Sequence, residues 1–259
     1  MELRILNNKS EILGYLSADP ALNLYLIGDL DDFFWPWTRW YGLYVNNSIK
    51  SIALFYTGTE SPALLLFYNG DPGYHLHLLM KIKPLLPAEF TVHLSPGLLP
   101  LFGARNILKN YGLHYRMILA REPDKIEDSS IRRLTVSDMD EIEELYRVSY
   151  PDNWFTGRMV ETGKYFGHFD SGRLTGVAGI HVYSASYSMA ALGNIAVHPD
   201  FRGRKIAYKL TSVLCSDLRR NVTTIGLNVM ADNHSAIKCY KNAGFEKRFL
   251  YDECLVRNA

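Results

Sequence analysis

Two similar stretches of sequence recur along the chain, and this repeat constrains the fold more than any other feature. LKNYGLHYRMIL at 108–119 aligns with YKNAGFEKRFLY at 240–251, an offset of 132 residues (240 minus 108). GLYVNNSIKSIALF likewise resembles GHFDSGRLTGVAGI, which begins 125 residues later. Candidate helix starts at Ser10 and Ser137 differ by 127. Three matches in the same order at similar offsets predict two copies of one structural unit.

Each copy has the pattern of a mixed α/β unit: one or two helices, a hairpin, a third strand, a helix, a strand, a short helix ending in glycine, and a last strand. In the second copy these elements are predicted near 138–149, 165–183, 188–197, 204–220, 224–230, 233–243 and 246–255. Because strands outnumber crossover helices, the pattern predicts an α+β fold of three layers, with a mixed, mostly antiparallel sheet flanked by helices. The copies join near 121–130, which predicts domains at 1–125 and 130–259.

The composition is that of a globular protein, with 259 residues of which 47% are hydrophobic. The 28 basic and 27 acidic residues leave a net charge of +1, which argues against nucleic-acid and membrane-surface partners. The N-terminal residues show neither an export signal nor an 18-residue apolar run, so a cytoplasmic protein is expected. Cys215, Cys239 and Cys254 form no CxxC pair, so we expect reduced, buried thiols and no metal site.

A basic turn precedes one predicted helix, in HPDFRGRKIAYKL at 198–210. Arg202, Arg204 and Lys205 lie where that helix begins, and each cation is unfavourable there by roughly 0.3–1 kcal/mol unless an anion is bound. One interpretation is that the backbone amides of 202–207 bind a phosphate or pyrophosphate. The other is a solvated basic turn. The chain has no GxxxxGK[ST] or GxGxxG motif, which excludes a P-loop and gives no support to a Rossmann site.

A second motif, ADNHSAIKCYKNAGFEK at 231–247, predicts a short helix that Asp232 or Asn233 caps and Gly244 ends. Asn233 and Tyr240 are seven residues apart, so they share one face about 10 Å from each other. An amide and a phenol so placed could hold an extended ligand. Alternatively, Tyr240 is a core tyrosine with a hydrogen-bonded hydroxyl.

Together, the strand end IAVHP, the turn RGRKIA, and then Asn233, Tyr240 and GF at these spacings resemble the GNAT superfamily of acyl-CoA-dependent N-acyltransferases. The resemblance covers about 134–255. It implies acetyl-CoA as cosubstrate and no metal, with Asn233 bonding the pantetheine arm and Tyr240 acting as general acid. Pantetheine would pair with the backbone of Ile195, Ala196 and Val197. The pyrophosphate would be held by Arg202, Gly203, Arg204, Lys205, Ile206 and Ala207.

Two departures from the family pattern affect the expected site. Lys205 stands where the family usually has glycine, the residue that permits the closest backbone approach. The strand MAALGNIAV has no Asp or Glu, although many members place a general base there. The candidate bases are His181 and a water chain held by Asn194 or Tyr183. A carboxylate from outside the strand, Asp170 or Asp152, is a further alternative.

The first copy does not carry the family's site residues. At the offset of 132, Leu101 corresponds to Asn233 and Leu108 to Tyr240, so this copy is expected to be degenerate and not to bind acyl-CoA. A degenerate copy before a functional one is similar to glycine N-acyltransferase-like members. The aromatic run FFWPWTRWYG at 33–42 either lines an acceptor cleft between the halves or forms a packed corner covering a domain interface.

The sequence therefore predicts an N-acetyltransferase, in which a primary amine attacks acetyl-CoA directly in a ternary complex and no cysteine acts as nucleophile. The acceptor is expected to be a small-molecule or peptide amine of low pKa, because no strong base is evident. The alternative is a non-catalytic acyl-CoA-binding or protein-interaction module with a degenerate GNAT fold.

Overall fold

The computed structural model describes residues 1–59, 61–151, 153 and 155–258. The chain forms two compact units. Unit 1 consists of Met1–Arg116, Val229–Asp232 and Arg248–Ala259, and unit 2 of Met117–Asn228 and Asn233–Lys247.

The described residues form twelve strands and six α-helices. The strands are β1 (Glu2–Leu6), β2 (Thr38–Val45), β3 (Ser48–Tyr56), β4 (Ala63–Leu66), β5 (Glu89–Leu94), β6 (Ile107–Leu119), β7 (Ile131–Arg133), β8 (Phe166–Asp170), β9 (Arg173–Ser184), β10 (Met189–Val197), β11 (Thr224–Met230) and β12 (Phe245–Arg257). The helices are α1 (Lys9–Leu16), α2 (Leu24–Gly28), α3 (Gly73–Ile82), α4 (Met139–Ser149), α5 (Ile206–Leu218) and α6 (His234–Asn242).

The strand order is β1-β2-β3-β4-β5-β12-β6 for the strands that lie wholly or mostly in unit 1, and β11-β10-β9-β8-β7 for those that lie wholly or mostly in unit 2. Strands β4 and β5 are parallel neighbours, and so are β10 and β11. The antiparallel neighbours include β1–β2, β2–β3, β3–β4, β7–β8, β8–β9 and β9–β10. The predicted fold class, a mixed and mostly antiparallel sheet with flanking helices, is confirmed.

The compact units differ from the contiguous stretches 1–125 and 130–259 mainly in the last strand of the second copy, because Arg248–Ala259 belongs to unit 1. β6 and β12 each have residues in both units. In unit 1, the end of β12 pairs antiparallel with β5, from Asp252 opposite Leu94 to Arg257 opposite Glu89. A sequence repeat predicts two copies of a unit. It does not reveal which neighbour a final strand pairs with, because the hydrogen bonds between strands are made by backbone groups that every strand carries.

One predicted element of the first copy is wrong. The short helix expected before Gly112 is replaced by 3-10 turns at Leu99–Phe102 and Ala104–Asn106, and β6 already begins at Ile107. Gly112 lies inside this strand with a left-handed φ of 88°, rather than at the end of a helix as Gly244 does. The Lys-Asn-x-Gly match therefore joins positions of different structure.

The hairpins and helix starts reflect local turn and capping chemistry. The hairpin turns at Asn46-Asn47 and Ser171-Gly172 have positive φ values at both residues, as type I′ turns require. The helical segments begin at Asn8 and Thr135 rather than at Ser10 and Ser137, because Asn8 and Thr135 accept the capping bonds. The offset of 127 (135 minus 8) is retained.

Helix α5 carries an apolar stripe and packs on β9. Its buried residues include Ile206, Leu210, Leu214 and Leu218, and Arg219 follows as the C-cap. A Cβ atom at Gly176 of β9 would lie 2.7 Å from the Ile206 side chain, so glycine permits this close packing. The start of α5 is thereby fixed over the sheet of unit 2.

The aromatic run at 33–42 contributes to unit 1. Trp40 is buried and stacks on Trp35 at 6.2 Å between ring centroids, whereas Trp37 is 43% exposed. The three cysteines are free as expected; Cys215 and Cys254 are buried, but Cys239 is only half-buried. Among the described residues, none of the helices is long and apolar enough to span a membrane. Those same residues hold no cluster of three or more His, Cys, Asp or Glu side chains suited to a metal ion.

Candidate active site

Strand β10 separates from β11 halfway along its length. Their parallel register runs from Met189 opposite Thr224 to Leu192 opposite Leu227 and extends no further among the described residues. Beyond it, Ala196 and Val197 remain paired with β9 on the other side. The predicted pantetheine segment, Ile195, Ala196 and Val197, therefore has one backbone edge that β11 does not cover.

A bulge in β10 lies at the point of separation. The register with β9 shifts between Gly193 and Ala196, and Asn194 adopts a left-handed φ of 54°. Asparagine tolerates this region better than other non-glycine residues. Because of the bulge, the Asn194 side chain points into the protein and is buried.

Asn194 is the centre of a polar network within unit 2. Its Oδ1 accepts a hydrogen bond from His181 Nε2 at 3.1 Å, and its Nδ2 donates to the Tyr165 hydroxyl at 3.1 Å. The Asn194 carbonyl accepts from the Tyr146 hydroxyl at 2.7 Å. Burial raises the pKa of both tyrosines well above the ordinary value, so they remain neutral donors.

His181 has a defined position in this network. Since an amide oxygen only accepts, His181 Nε2 is the donor of the hydrogen bond to Asn194. His181 is the extra residue of a β9 bulge, because Ala191 pairs with Val182 and Leu192 with Ile180. Its ring lies directly on Gly193, where a Cβ atom would come within 2.4 Å of three ring atoms. The predicted base is thus half-buried beside the break in β10.

The basic turn, Arg202–Ala207, presents backbone donors. Gly203 and Lys205 have left-handed φ values of 79° and 61°. The first helical bond of α5 runs from Lys209 N to Lys205 O, at 3.0 Å. The amides of residues 203–208 have no acceptor among the described residues. A run of unsatisfied N–H groups in alternating turn conformations at a helix N-terminus is the arrangement that binds phosphate oxygens.

The cations of the basic turn have different surroundings. Arg202 donates to the carbonyls of Val197 and Ser149, at 3.2 and 3.3 Å, which holds its guanidinium at the end of β10. Arg204 lies 3.7 Å from Asp170, an alternative base in the sequence analysis. Lys205, the N-cap of α5, is exposed. Its left-handed backbone explains why glycine is usual at this position. Asp152, the other carboxylate considered, lies outside the described residues.

Helix α6 carries the remaining predicted residues and packs against α5. Asn233 is its N-cap, and its Oδ1 accepts from Ala236 N at 3.0 Å and from Ser235 Oγ at 3.1 Å. Its Nδ2 is the group that could donate to a ligand. Tyr240, near the other end of the helix, is half-buried and meets the Phe245 ring edge-on, with centroids 6.2 Å apart.

A cleft of about 370 Å³ in unit 2 was not expected from the sequence. This α4 cleft is lined by Glu143, Tyr146, Arg147, Pro151, Asn153 and Phe155. Tyr146 also donates to Asn194, so the cleft borders the bulge of β10. The only sequence feature that pointed to this cleft is Tyr146, which lies on the buried face of the helix MDEIEELYRVS. A tyrosine on a buried helix face does not by itself indicate a cleft.

In unit 1 the two parallel strands stay paired to the end of β4, whereas in unit 2 they separate halfway along β10. Pairing of β4 with β5 runs to Leu66 opposite Leu94, and Ser95 continues it by donating its amide to Leu66 O at 3.1 Å. The Ser95 hydroxyl then bonds both the amide and the carbonyl of Tyr68, at 2.9 and 3.1 Å. Before α3, the carboxylate of Asp71 accepts from the amide of Gly73 at 2.9 Å. An acidic side chain thus occupies a position that would otherwise favour an anionic ligand.

Comparison with known proteins finds one family model that matches the second half of the chain. Residues 129–245 match the family model described as the Acetyltransferase (GNAT) family. Among curated proteins, none matches the chain.

Solved structures of similar fold span nearly the whole chain. A GNAT-family acetyltransferase from Novosphingobium aromaticivorans has a TM-score of 0.64 at 19% identity, covering 93% of this chain and 100% of its own. A Drosophila protein has a TM-score of 0.73 at 14% identity, covering 99% and 98%. A tandem GNAT protein from the clavulanic acid biosynthesis pathway has a TM-score of 0.56 at 13% identity, covering 100% and 99%. At these identities the likeness establishes the fold.

Proposed function

Because residues 129–245 match the model of the Acetyltransferase (GNAT) family, we propose that the protein transfers the acetyl group of acetyl-CoA to a primary amine. The observation that supports this most is the run of unsatisfied amides in the basic turn, next to the uncovered edge of β10. A pyrophosphate at the turn and a pantetheine arm along Ile195–Val197 would match these two features. The site residues proposed for acetyl-CoA remain those of the sequence analysis.

In the proposed reaction the amine nitrogen attacks the thioester carbonyl directly, within a ternary complex. The carbon–nitrogen bond forms as the carbon–sulfur bond breaks, giving an acetamide and the CoA thiolate. Tyr240 donates its hydroxyl proton to the thiolate, and His181 accepts the proton released by the amine at Nδ1. Proton return from His181 to Tyr240 through water restores both groups. The balance is one amine and one acetyl-CoA consumed, and one amide and one CoA formed.

The thiol chemistry supports direct attack rather than an acetyl-cysteine intermediate. Burial raises the pKa of Cys239 to about 11, and the buried Cys215 thiol is shifted upward further. The thiolate is the nucleophilic form of cysteine, and an elevated pKa makes it scarce at neutral pH. Neither cysteine is needed in the proposed mechanism.

The acceptor is proposed to be an amine of low pKa. β10 contributes no carboxylate base, so a substrate that is already partly deprotonated reacts more readily. An α-amine, with a pKa of about 7.7–8.0, meets this need better than a lysine side chain with a pKa of about 10.4. The difference corresponds to about 3.4 kcal/mol of deprotonation at fixed pH.

Single-turnover mass spectrometry with acetyl-CoA and a panel of α- and ε-amines tests the proposal. We expect acetylated α-amines, with little product from the ε-amines at pH 7. Acetyl-CoA binding without product from any amine would favour the alternative, a non-catalytic acyl-CoA-binding module. A clear preference for ε-amines would indicate a carboxylate base that the site described above does not contain.

A further inference from the structure

The α4 cleft combines an aromatic wall with an uneven distribution of charge. The Tyr146 and Phe155 rings pack 5.0 Å apart between centroids, and Phe155 meets Tyr165 edge-on at 5.7 Å. Aromatic faces of this kind accommodate both apolar groups and cations. At about 370 Å³, the cleft suits a group of amino-acid size.

Arg147 is the cation of this wall, but a neighbouring carboxylate already engages it. Its Nε and Nη2 atoms donate to the two oxygens of Glu144, at 2.9 and 2.7 Å. This bidentate geometry uses the face of the guanidinium that would otherwise bind a carboxylate ligand. In this structure the Nε and Nη2 donors of Arg147 are therefore directed to Glu144 rather than into the cleft.

Glu143 lines the same cleft, and its charge is not offset in this way. No ion pair with Glu143 is formed by the residues that the structure describes. A carboxylate beside aromatic rings attracts an ammonium group and repels a second carboxylate. The described lining of the cleft thus favours a ligand with an ammonium group and without a carboxylate next to it.

The position of the cleft relates this preference to the reaction. Tyr146 forms part of its wall and donates to the Asn194 carbonyl at the bulge of β10. The next three residues, Ile195–Val197, are those proposed to hold the pantetheine arm. An amine in the α4 cleft would therefore lie beside the strand segment along which the thioester is proposed to run.

We propose that the acceptor is an α-amine whose carboxyl group is neutralised as an amide, and that Glu143 determines this specificity. An amino-acid amide and a peptide N-terminus share this chemistry. The inference rests on the proposed acetyl transfer, and it names the class of amine that the same site takes.

The test compares phenylalaninamide with phenylalanine as acceptors for the wild type, Glu143→Gln and Glu141→Gln. Both substitutions remove one negative charge from exposed positions of α4, but Glu141 does not line the cleft. We expect the wild type to have a kcat/KM for the amide at least tenfold above that for the acid. Glu143→Gln should reduce this ratio about threefold or more, the size expected for an exposed charge interaction, while Glu141→Gln leaves it unchanged. The differing amine pKa values of the two acceptors contribute equally in all three proteins.

The outcomes separate this inference from the proposed function. Turnover with a ratio that responds equally to both substitutions, or a wild-type preference for phenylalanine, overturns the specificity role of Glu143 and leaves acetyl transfer intact. Failure to bind acetyl-CoA in calorimetry overturns the proposed function itself. A tetrapeptide amide with N-terminal phenylalanine forms the third arm. If it is turned over faster than phenylalaninamide, the class is the peptide N-terminus; if slower, it is the free amide.

Discussion

At the scale of single residues, the site depends on conformations that a sequence pattern does not reveal. Asn194 was considered only as a possible holder of water, yet its left-handed backbone places its side chain between His181 and Tyr165. Lys205 also has a positive φ, and the only sign of it in the sequence was that the family usually has glycine at this position. Backbone torsions of this kind depend on the tertiary setting, which local propensity does not encode.

Tyr240→Phe tests the proposed general acid. A phenol with a reference pKa of about 10 can protonate a departing thiolate whose pKa is about 8.5 by analogy with cysteine. Removing the hydroxyl should lower kcat by about 100-fold or more and leave acetyl-CoA affinity nearly unchanged, because the loss is confined to the transition state. Steady-state kinetics and calorimetry measure the two effects. Wild-type kcat in this variant would exclude Tyr240 from the mechanism.

Gly193→Ala tests the position of His181. A Cβ atom at this site would lie 2.4 Å from the imidazole ring, so the ring must move away from Asn194. We expect a tenfold or greater decrease in kcat, with acetyl-CoA affinity within about threefold of the wild type. Gly14→Ala is the control, since a Cβ atom there meets nothing within 4 Å. Equal activity of the two variants would show that the His181 position is unimportant.

At the scale of secondary structure, the second copy was predictable and the special features of its elements were not. Apolar periodicity and caps placed α5, α6 and β11 within about two residues of their observed bounds, because those signals are local. The separation of β10 from β11 involves pairing between segments far apart in sequence, and only the resemblance to a family suggested it. In the first copy a local match gave a wrong prediction: the Lys-Asn-x-Gly similarity indicated a short helix before Gly112, where the structure has 3-10 turns and a strand.

The start of α4 gives a pH-dependent contribution to stability. The hydrogen bond from Arg132, with further bonds from Thr135, lowers the pKa of Asp138 to about 2. Because the folded pKa is below the ordinary 3.8, this contribution is present above about pH 4 and is lost as the pH falls towards 2. Asp138→Asn should lower the free energy of unfolding by about 1–2 kcal/mol at pH 7, with a much smaller difference near pH 2.

Denaturant unfolding of Asp138→Asn across this pH range makes the comparison, and the exposed Asp140→Asn on the same helix is the control, expected within about 0.5 kcal/mol of the wild type. A destabilisation of Asp138→Asn that is the same at pH 2 and pH 7 would contradict the linkage.

At the scale of the whole chain, the repeat predicted two copies of one fold, and the chain is similar over its whole length to a tandem GNAT protein of known structure. The position of β12 was beyond the reach of the sequence, because its pairing with β5 changes which unit the strand joins but not the strand itself. The sequence also indicated that one copy is degenerate. In unit 1, Ser95 continues the pairing of β4 and β5, and the Asp71 carboxylate accepts from the amide of Gly73 at the start of α3, two physical reasons why this unit should not bind acetyl-CoA.

Calorimetric titration with acetyl-CoA tests the central claim most directly. We predict one site per chain for the wild type, and loss of the binding heat when Arg202 and Lys205 are both replaced by glutamate, because repulsion would replace pairing at the proposed pyrophosphate site. The same replacements at Arg105 and Lys109, on the first copy, should leave binding intact. Two equal sites per chain, or unchanged binding after reversal of Arg202 and Lys205, would contradict the account.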